Sequence, residues 1–262
     1  MRAQFGWSLG ISVLAPCGSG AAQTPAPPPP PPAIADNSFL LEEAYNQEAG
    51  VVQHISAFQR SLRAAAWTYT FTQEWPVAVQ RHQLSYTFPV HHAGSGNTTV
   101  TGIGDIALNY RYQLVGGEGA MAVAPRVSLL VPTGSEAKGL GDGGFGVQVN
   151  LPVSITLAPR FVTHWNAGWT TTPVTQEYNL GASAIWLVRP TFNVVLETIW
   201  SRMDGAEDAW VVNPGIRWAH NFASDLQIVP GIAFPIGIGP SRGETAAFLY
   251  VSFEHPFKRV GR

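Results

Sequence analysis

The chain has 262 residues, 45% hydrophobic and only 12% charged, with a net charge of −2 at pH 7. So few charges are about half of a soluble protein's usual share, while a mean hydropathy of +0.06 and the lack of any apolar run of about 18 residues exclude a helical membrane protein. The weak negative charge argues against nucleic acid as a partner, and the single cysteine, Cys17, excludes an intrachain disulfide framework.

Residues 1–22 read as a signal peptide. Arg2 supplies a positive start, Trp7 to Ala15 an apolar stretch, and Gly20-Ala21-Ala22 before Gln23 small residues for cleavage. Pro16 directly before Cys17 makes a poor lipoprotein box. Residues 23–37 form a proline-rich periplasmic linker, because the nearly pure proline of Pro25 to Pro32 joins neither sheet nor helix. Residues 38–48 follow as a short segment in which Ser38 is placed to cap a brief helix carrying Leu40, Leu41 and Ala44. We read it as a periplasmic lead-in to the first strand, with a small plug inside a barrel as the alternative.

From residue 49 to residue 257 one pattern repeats: segments of alternating apolar and small or polar residues, each ended by turn residues. In Ile103 to Leu114, one face carries Gly104, Ile106, Leu108, Tyr110, Tyr112 and Leu114; the other carries Asp105, Asn109, Arg111 and Gln113. Such a strand borders oil on one side and water on the other. Twelve such segments are predicted near 50–60, 64–75, 78–88, 102–115, 119–132, 144–157, 159–169, 176–188, 191–202, 208–220, 225–237 and 244–257. The fold class expected is therefore all-β: a transmembrane antiparallel up-and-down β-barrel of about 12 strands.

Connections after the even strands read as short turns, and those after the odd strands as mostly longer loops, such as Pro89 to Thr101 and Pro132 to Gly143. Bacterial barrels sit with short turns in the periplasm. An even strand count returns both ends there, which leaves 258–262 as a periplasmic tail. Leu249, Val251, Phe253 and Phe257 alternate outward and resemble the C-terminal signal read by the barrel-insertion machinery, although Lys258 to Arg262 follow. The expected location is the Gram-negative outer membrane, with its lipid and lipopolysaccharide as surroundings.

Four stretches resemble one family of outer-membrane proteins, grouped as "meta-pathway of phenol degradation" and transporter-like: Ser38 to Ile55, Gly102 to Leu114, Val127 to Gly134 and Gly139 to Val149. The resemblance implies an outer-membrane location and passage of small, aromatic or hydrophobic, molecules. It supplies no substrate and no catalytic residue.

Alternation turns Glu74, Arg81, Asp105, Asn109, Arg111, Arg126, Glu177, Glu197, Arg217 and Glu254 toward the lumen. Arg facing lipid at mid-membrane would cost roughly 2–4 kcal/mol. These residues are the candidate lining, either of a narrow pore of mixed charge or of a salt-bridged interior that holds the barrel shut. Trp165, Trp169, Trp186, Trp200, Trp210 and Trp218 lie toward strand ends, as interfacial anchors do. His91 and His92 fall in an expected solvated loop, so no metal site is assigned. The glycines at 102–104 and 139–146 suit bends rather than a phosphate loop. Ser154, His164 and Asn166 could share a face, but a lumenal face, so no catalytic residue is assigned. No cofactor is implied. The sequence thus points to a channel for passive passage of small solutes, diffusing past Asp105, Arg111, Arg126 and Glu197. A closed structural or sensing barrel is the alternative, and a soluble β carrier protein a third reading.

Overall fold

The computed structural model describes residues 33–256 apart from 96–97, 117–118 and 223–225. The expected signal peptide, most of the linker, Phe257 and the tail lie outside the described residues. Twelve antiparallel strands form the barrel. They are β1 (Val51–Ser61), β2 (Ala65–Val77), β3 (Val79–Ser95), β4 (Thr98–Ile103 and Ile106–Tyr112), β5 (Met121–Val123 and Arg126–Val131), β6 (Gly146–Ala158), β7 (Phe161–Thr171), β8 (Gln176–Arg189), β9 (Phe192–Met203), β10 (Ala209–Trp218 and His220–Asn221), β11 (Gln227–Ala233 and Ile236–Ile238) and β12 (Ala246–Pro256). Each pairs with its sequence neighbours, and β1 pairs with β12 from Val51↔Pro256 to Ser61↔Ala246. Closure leaves no free edge.

The interrupted strands have local causes. Pro125 and Pro235 sit in the gaps of β5 and β11 and cannot donate to a ladder. The register is otherwise continuous across both gaps. The gap in β4 is different. His91 opposes Gly102, but Thr87 opposes Ala107, so one extra residue is accommodated around Gly104-Asp105. That bulge re-aims Asp105.

The faces divide as alternation demands. On β6, Val147, Val149 and Leu151 are exposed while Asn150 and Ser154 are buried. Polar groups make up much of the interior and hydrocarbon the outside, the reverse of a soluble domain. Trp169, Trp200 and Trp210 lie near the loop end, and Trp186 and Trp218 near the end where the termini lie. Trp165 departs from the expected belt. It sits mid-strand, opposite Val153 and Ala182, and is 52% exposed.

Two connections differ from expectation. The predicted long loop at 89–101 is mostly strand: β3 runs to Ser95 and β4 starts at Thr98. Thr98 to Thr101 pair with His92 to Ser95, and a run of Thr and Val supports a ladder better than a loop. His91 and His92 are accordingly strand residues. Between β2 and β3 the reversal is made at Ala78, with φ 61°, rather than at Trp75 to Val77. The longest loop with its own structure is 132–145, which carries a short 3-10 turn at Glu136–Lys138.

Candidate functional site: the lumen and the segment inside it

Residues 34–47 lie inside the barrel. The Ile34 N–H donates to the Pro190 carbonyl at the terminal end (2.8 Å). Arg217 then donates to the carbonyls of Ala35 (3.0 Å) and Asn37 (2.8 Å). Next the backbone N–H groups of Phe39, Leu40 and Leu41 converge on one oxygen, Oε1 of Glu197, at 3.1, 2.9 and 3.0 Å. Three successive N–H groups around one anion make a backbone nest. The other oxygen of Glu197 accepts from Asn213 (2.6 Å). Beyond the nest, the N–H groups of Glu42, Ala44, Asn46 and Gln47 donate to Asn166, Ser154, Gln113 and Gln83.

The expected helix over this segment does not form. A helix propagates by giving each N–H to the carbonyl four residues back. Here the barrel wall takes those donors. The segment is also not a lead-in outside the barrel: Leu41, Ala44 and Asn46 are buried by the wall.

Ionic contacts fix its middle. The carboxylate of Glu42 accepts from Arg126, with Nη2 to Oε1 at 2.6 Å, and lies 3.8 Å from Arg111. Burial would raise the Glu42 carboxyl, but Arg126, Arg111 and Asn150 outweigh it and hold it below its ordinary range. Arg111 also donates to the carbonyls of Glu43 (3.2 Å) and Tyr45 (2.7 Å) and lies 3.6 Å from Glu74.

The ten expected lining residues thus divide into four groups. Arg111, Arg126, Glu197 and Arg217 hold the segment. Asn109 braces Arg126 (3.0 Å) and Ser85 (3.1 Å). Glu74 and Glu254 face interior cavities. Arg81, Asp105 and Glu177 are apart from these: Arg81 at the terminal rim, Glu177 half-buried near the loop end of β8, and Asp105 at the mouth. The carboxylate of Asp105 is not free in the lumen. Its two oxygens accept the N–H groups of Gly134 (2.8 Å) and Asp142 (2.9 Å), which ties down the 132–145 loop.

Three spaces are stacked along the lumenal residues of β1. At the mouth, a cavity of about 560 Å³ reaches Gln59 and Ser61 on one side and Leu140 to Asp142 of the 132–145 loop on the other. Next, a chamber of about 390 Å³ faces Ile55 and Ala57 and is bounded by Phe39 to Glu43 of the inner segment. At the terminal end, a pocket of about 260 Å³ reaches Gln53, Ser252 and Glu254. Between chamber and pocket runs a short polar chain: Gln47 Nε2 donates to Gln53 (2.7 Å), and Gln53 Nε2 to Glu254 (2.8 Å).

Ser154 and His164 do meet, with Oγ and Nδ1 2.7 Å apart. The serine also accepts the Ala44 N–H (2.8 Å), and His164 Nε2 faces the Asp36 carbonyl (2.9 Å) rather than a carboxylate. Both are fully buried. The pair therefore clamps the inner segment. Elsewhere, His91 Nδ1 lies 3.1 Å from Thr68 Oγ1, while His92 stacks on Trp67. Among the described residues, no group of three or more His, Cys, Asp or Glu could hold a metal ion.

The residues absent from the expected lining are further amides. Asn150, Asn166, Asn193 and Asn213 are buried in the lumen as the expected Asn109 is. A side chain that both donates and accepts suits irregular backbone. Repeated Asn on the water face was the signal that something with exposed peptide groups lies there.

No protein-family model and no curated protein sequence matches the chain. Solved structures do match in fold. The COG4313 outer membrane channel from Pseudomonas putida F1 is 15% identical, with TM-score 0.57 over 81% of this chain and 97% of that one. KdgM porin is 7% identical, with TM-score 0.55 over 77% and 98%. NanC porin is 7% identical, with TM-score 0.52 over 79% and 100%. This chain has the porin-like outer-membrane barrel fold.

Proposed function

We propose that the protein lies in the outer membrane and passes small solutes passively from the mouth to the periplasm, with residues 34–47 setting the width of the route. The observation that carries this reading is the stack of three cavities along β1, with the Gln47–Gln53–Glu254 chain and the Arg217 side chain, held on the Asn37 carbonyl and over the Tyr250 ring, between chamber and pocket. A scaffold barrel fills its interior. Here polar cavities large enough for small solutes remain beside a segment that occupies the rest.

Small aromatic or hydrophobic molecules are the cargo we favour for the chamber. Phe39, Ile55, Leu130 and Tyr250 line it, and Phe39 meets Tyr250 edge-on at 5.9 Å. Membership of the phenol meta-pathway family is proposed on the same grounds. The stretches that carry that resemblance touch one another: Glu42 lies 3.8 Å from Arg111, and Asp105 holds Gly134 and Asp142.

The alternative, a closed structural barrel, draws on the completeness of the Glu197 and Arg217 clamps. Planar-bilayer conductance separates the two. The passage reading expects current from the full chain and a severalfold larger current when 34–47 is deleted. Current at background in both would leave the closed barrel.

A further inference from the structure

We infer that the route favours small organic cations, amines in particular, over anions of the same size; this rests on the passage reading above. In the three spaces stacked along β1 the charges are uneven in one direction, while the rim hollow with Arg81 runs the other way. Asp105 and Asp142 line the mouth cavity with no basic group beside them other than His91 and His92. Glu42, Glu43 and Glu74 line the chamber against Arg111 and Arg126. Glu48 and Glu254 line the periplasmic pocket against Arg217. Carboxylates are in excess in each space, although the whole chain carries only −2. A second hollow at the mouth, with Arg63 and Glu244, is balanced.

The hydrogen-bond inventory sharpens this difference. The chamber's guanidiniums are occupied. Arg111 is spent on Asn46 and the carbonyls of Glu43 and Tyr45, and Arg126 on Glu42, Asn109 and Gln148; Arg217 gives one nitrogen to the carbonyls of Ala35 and Asn37 and keeps its Nε–H unpartnered. The carboxylates keep capacity. Each has about four acceptor positions. Glu43 accepts from Asn37 (3.1 Å), Glu74 from Gln83 (2.9 Å) and Glu254 from Gln53 (2.8 Å). In the chamber an incoming anion finds both guanidiniums engaged, and free guanidinium N–H groups remain at the two ends of the route, on Arg217, Arg63 and Arg81, whereas an ammonium finds unspent oxygens at successive depths. Excess charge of one sign in a low-dielectric cleft also raises the local concentration of the opposite ion. Phe39 and Ile55 beside Glu43 and Glu74 would take the hydrocarbon part of an amine.

The chamber can be probed whether or not current flows. Thr70 lines it and makes a conservative site for cysteine. The full chain would carry Thr70→Cys and Cys17→Ser and react with a trimethylammonium and a sulfonate methanethiosulfonate, each rate divided by that reagent's rate on a free thiol. We expect the cationic reagent to be at least tenfold faster. The ratio should fall several-fold in Glu43→Gln and further in Glu43→Gln with Glu74→Gln. A ratio at or below one, a ratio unmoved by these variants, or a cysteine that neither reagent reaches would overturn the inference. The reversal potential in a KCl gradient separates the two claims: loss of all current breaks the passage reading, while current carried chiefly by chloride breaks cation preference alone.

Discussion

The two sides of the lumen are built on the same alternation yet behave differently. Along β6 to β10, the inward side chains are polar and rich in acceptors and donors: Ser154, His164, Asn166, Glu197, Asn213 and Arg217. They reach the inner segment and take up its peptide groups. Along β1 to β4, Gln83 and Arg111 reach the segment toward the terminal end, but the inward set beyond them, Ala57, Thr70, Thr72, Thr87 and Ala107, stops short and leaves the chamber. The alternating pattern decides only which residues face inward. Their length and hydrogen-bonding capacity decide whether that wall holds the segment or a cavity.

The largest effect should come from the nest. Glu197→Ala strands three backbone N–H groups and the Asn213 amide. Each buried orphan costs about 1–3 kcal/mol. Water reaching the loosened segment recovers part of that, so we expect a docking loss of at least ~3 kcal/mol. Native-state hydrogen exchange would read it as about a hundredfold faster exchange at residues 39–41. Unchanged protection there would remove Glu197 as the anchor of the held side.

A smaller effect belongs to the Glu42 pairs. Breaking them by Glu42→Gln should weaken docking by about 1–2 kcal/mol, below the full figure for a buried pair, because this carboxylate is partly exposed. The same contact gives a pH dependence. The Glu42 carboxyl lies below its ordinary value of 4.5 in the docked segment. Its stabilisation is therefore fully present above 4.5 and is lost as pH falls through the lower docked value. Protease sensitivity at 34–47 should rise on acidification in the wild type, and rise less in Glu42→Gln. An equal rise in both would assign the acid response to another group.

Packing on the held side should give a comparable or smaller change. A Cβ at Gly181 would run into the Leu41 side chain, so Gly181→Ala should push the segment off β8. We expect about 1 kcal/mol, since Leu41 can yield by changing rotamer. Faster exchange confined to residues near Leu41 is the readout; exchange equal to wild type would show that Leu41 has room to move.

The barrel was legible in the sequence because a two-residue period is a local signal: Val147, Val149 and Leu151 face out as their spacing requires. The lumen was legible only as a face. That Arg111, Arg126, Glu197 and Arg217 point inward follows from alternation. That they meet Glu42 and the backbone of 35–45 depends on contacts 65 or more positions apart in the chain, which no local pattern carries. Residues 38–48 resembled a helix because Ser38 and the spacing of Leu40, Leu41 and Ala44 are helical locally, and the barrel wall offered their N–H groups better-placed acceptors. The 89–101 stretch departs from its expected loop for the opposite reason. Pro89 and the glycines at 94, 96, 102 and 104 signal a loop, while the Thr and Val between them hold a hairpin once both strands are long.

The smallest change in stability should come from the open side, where the comparison is most exposed to refutation. Ala107 faces the chamber from β4, opposite Thr87 on β3. Ala107→Phe places a ring into space that holds no protein atoms, so it displaces no packed neighbour and leaves the segment's clamps untouched. Heat-induced unfolding should shift by less than about 1 kcal/mol, well under the usual overpacking cost of 1–3 kcal/mol. Exchange at residues 39–41 should match wild type. Conductance should nevertheless fall severalfold, because the ring narrows the space beside Ile55 and Phe39. A large loss of stability would mean that the β1 to β4 side is packed in solution. A conductance equal to wild type would mean that solutes cross elsewhere, and the route along β1 would have to be redrawn.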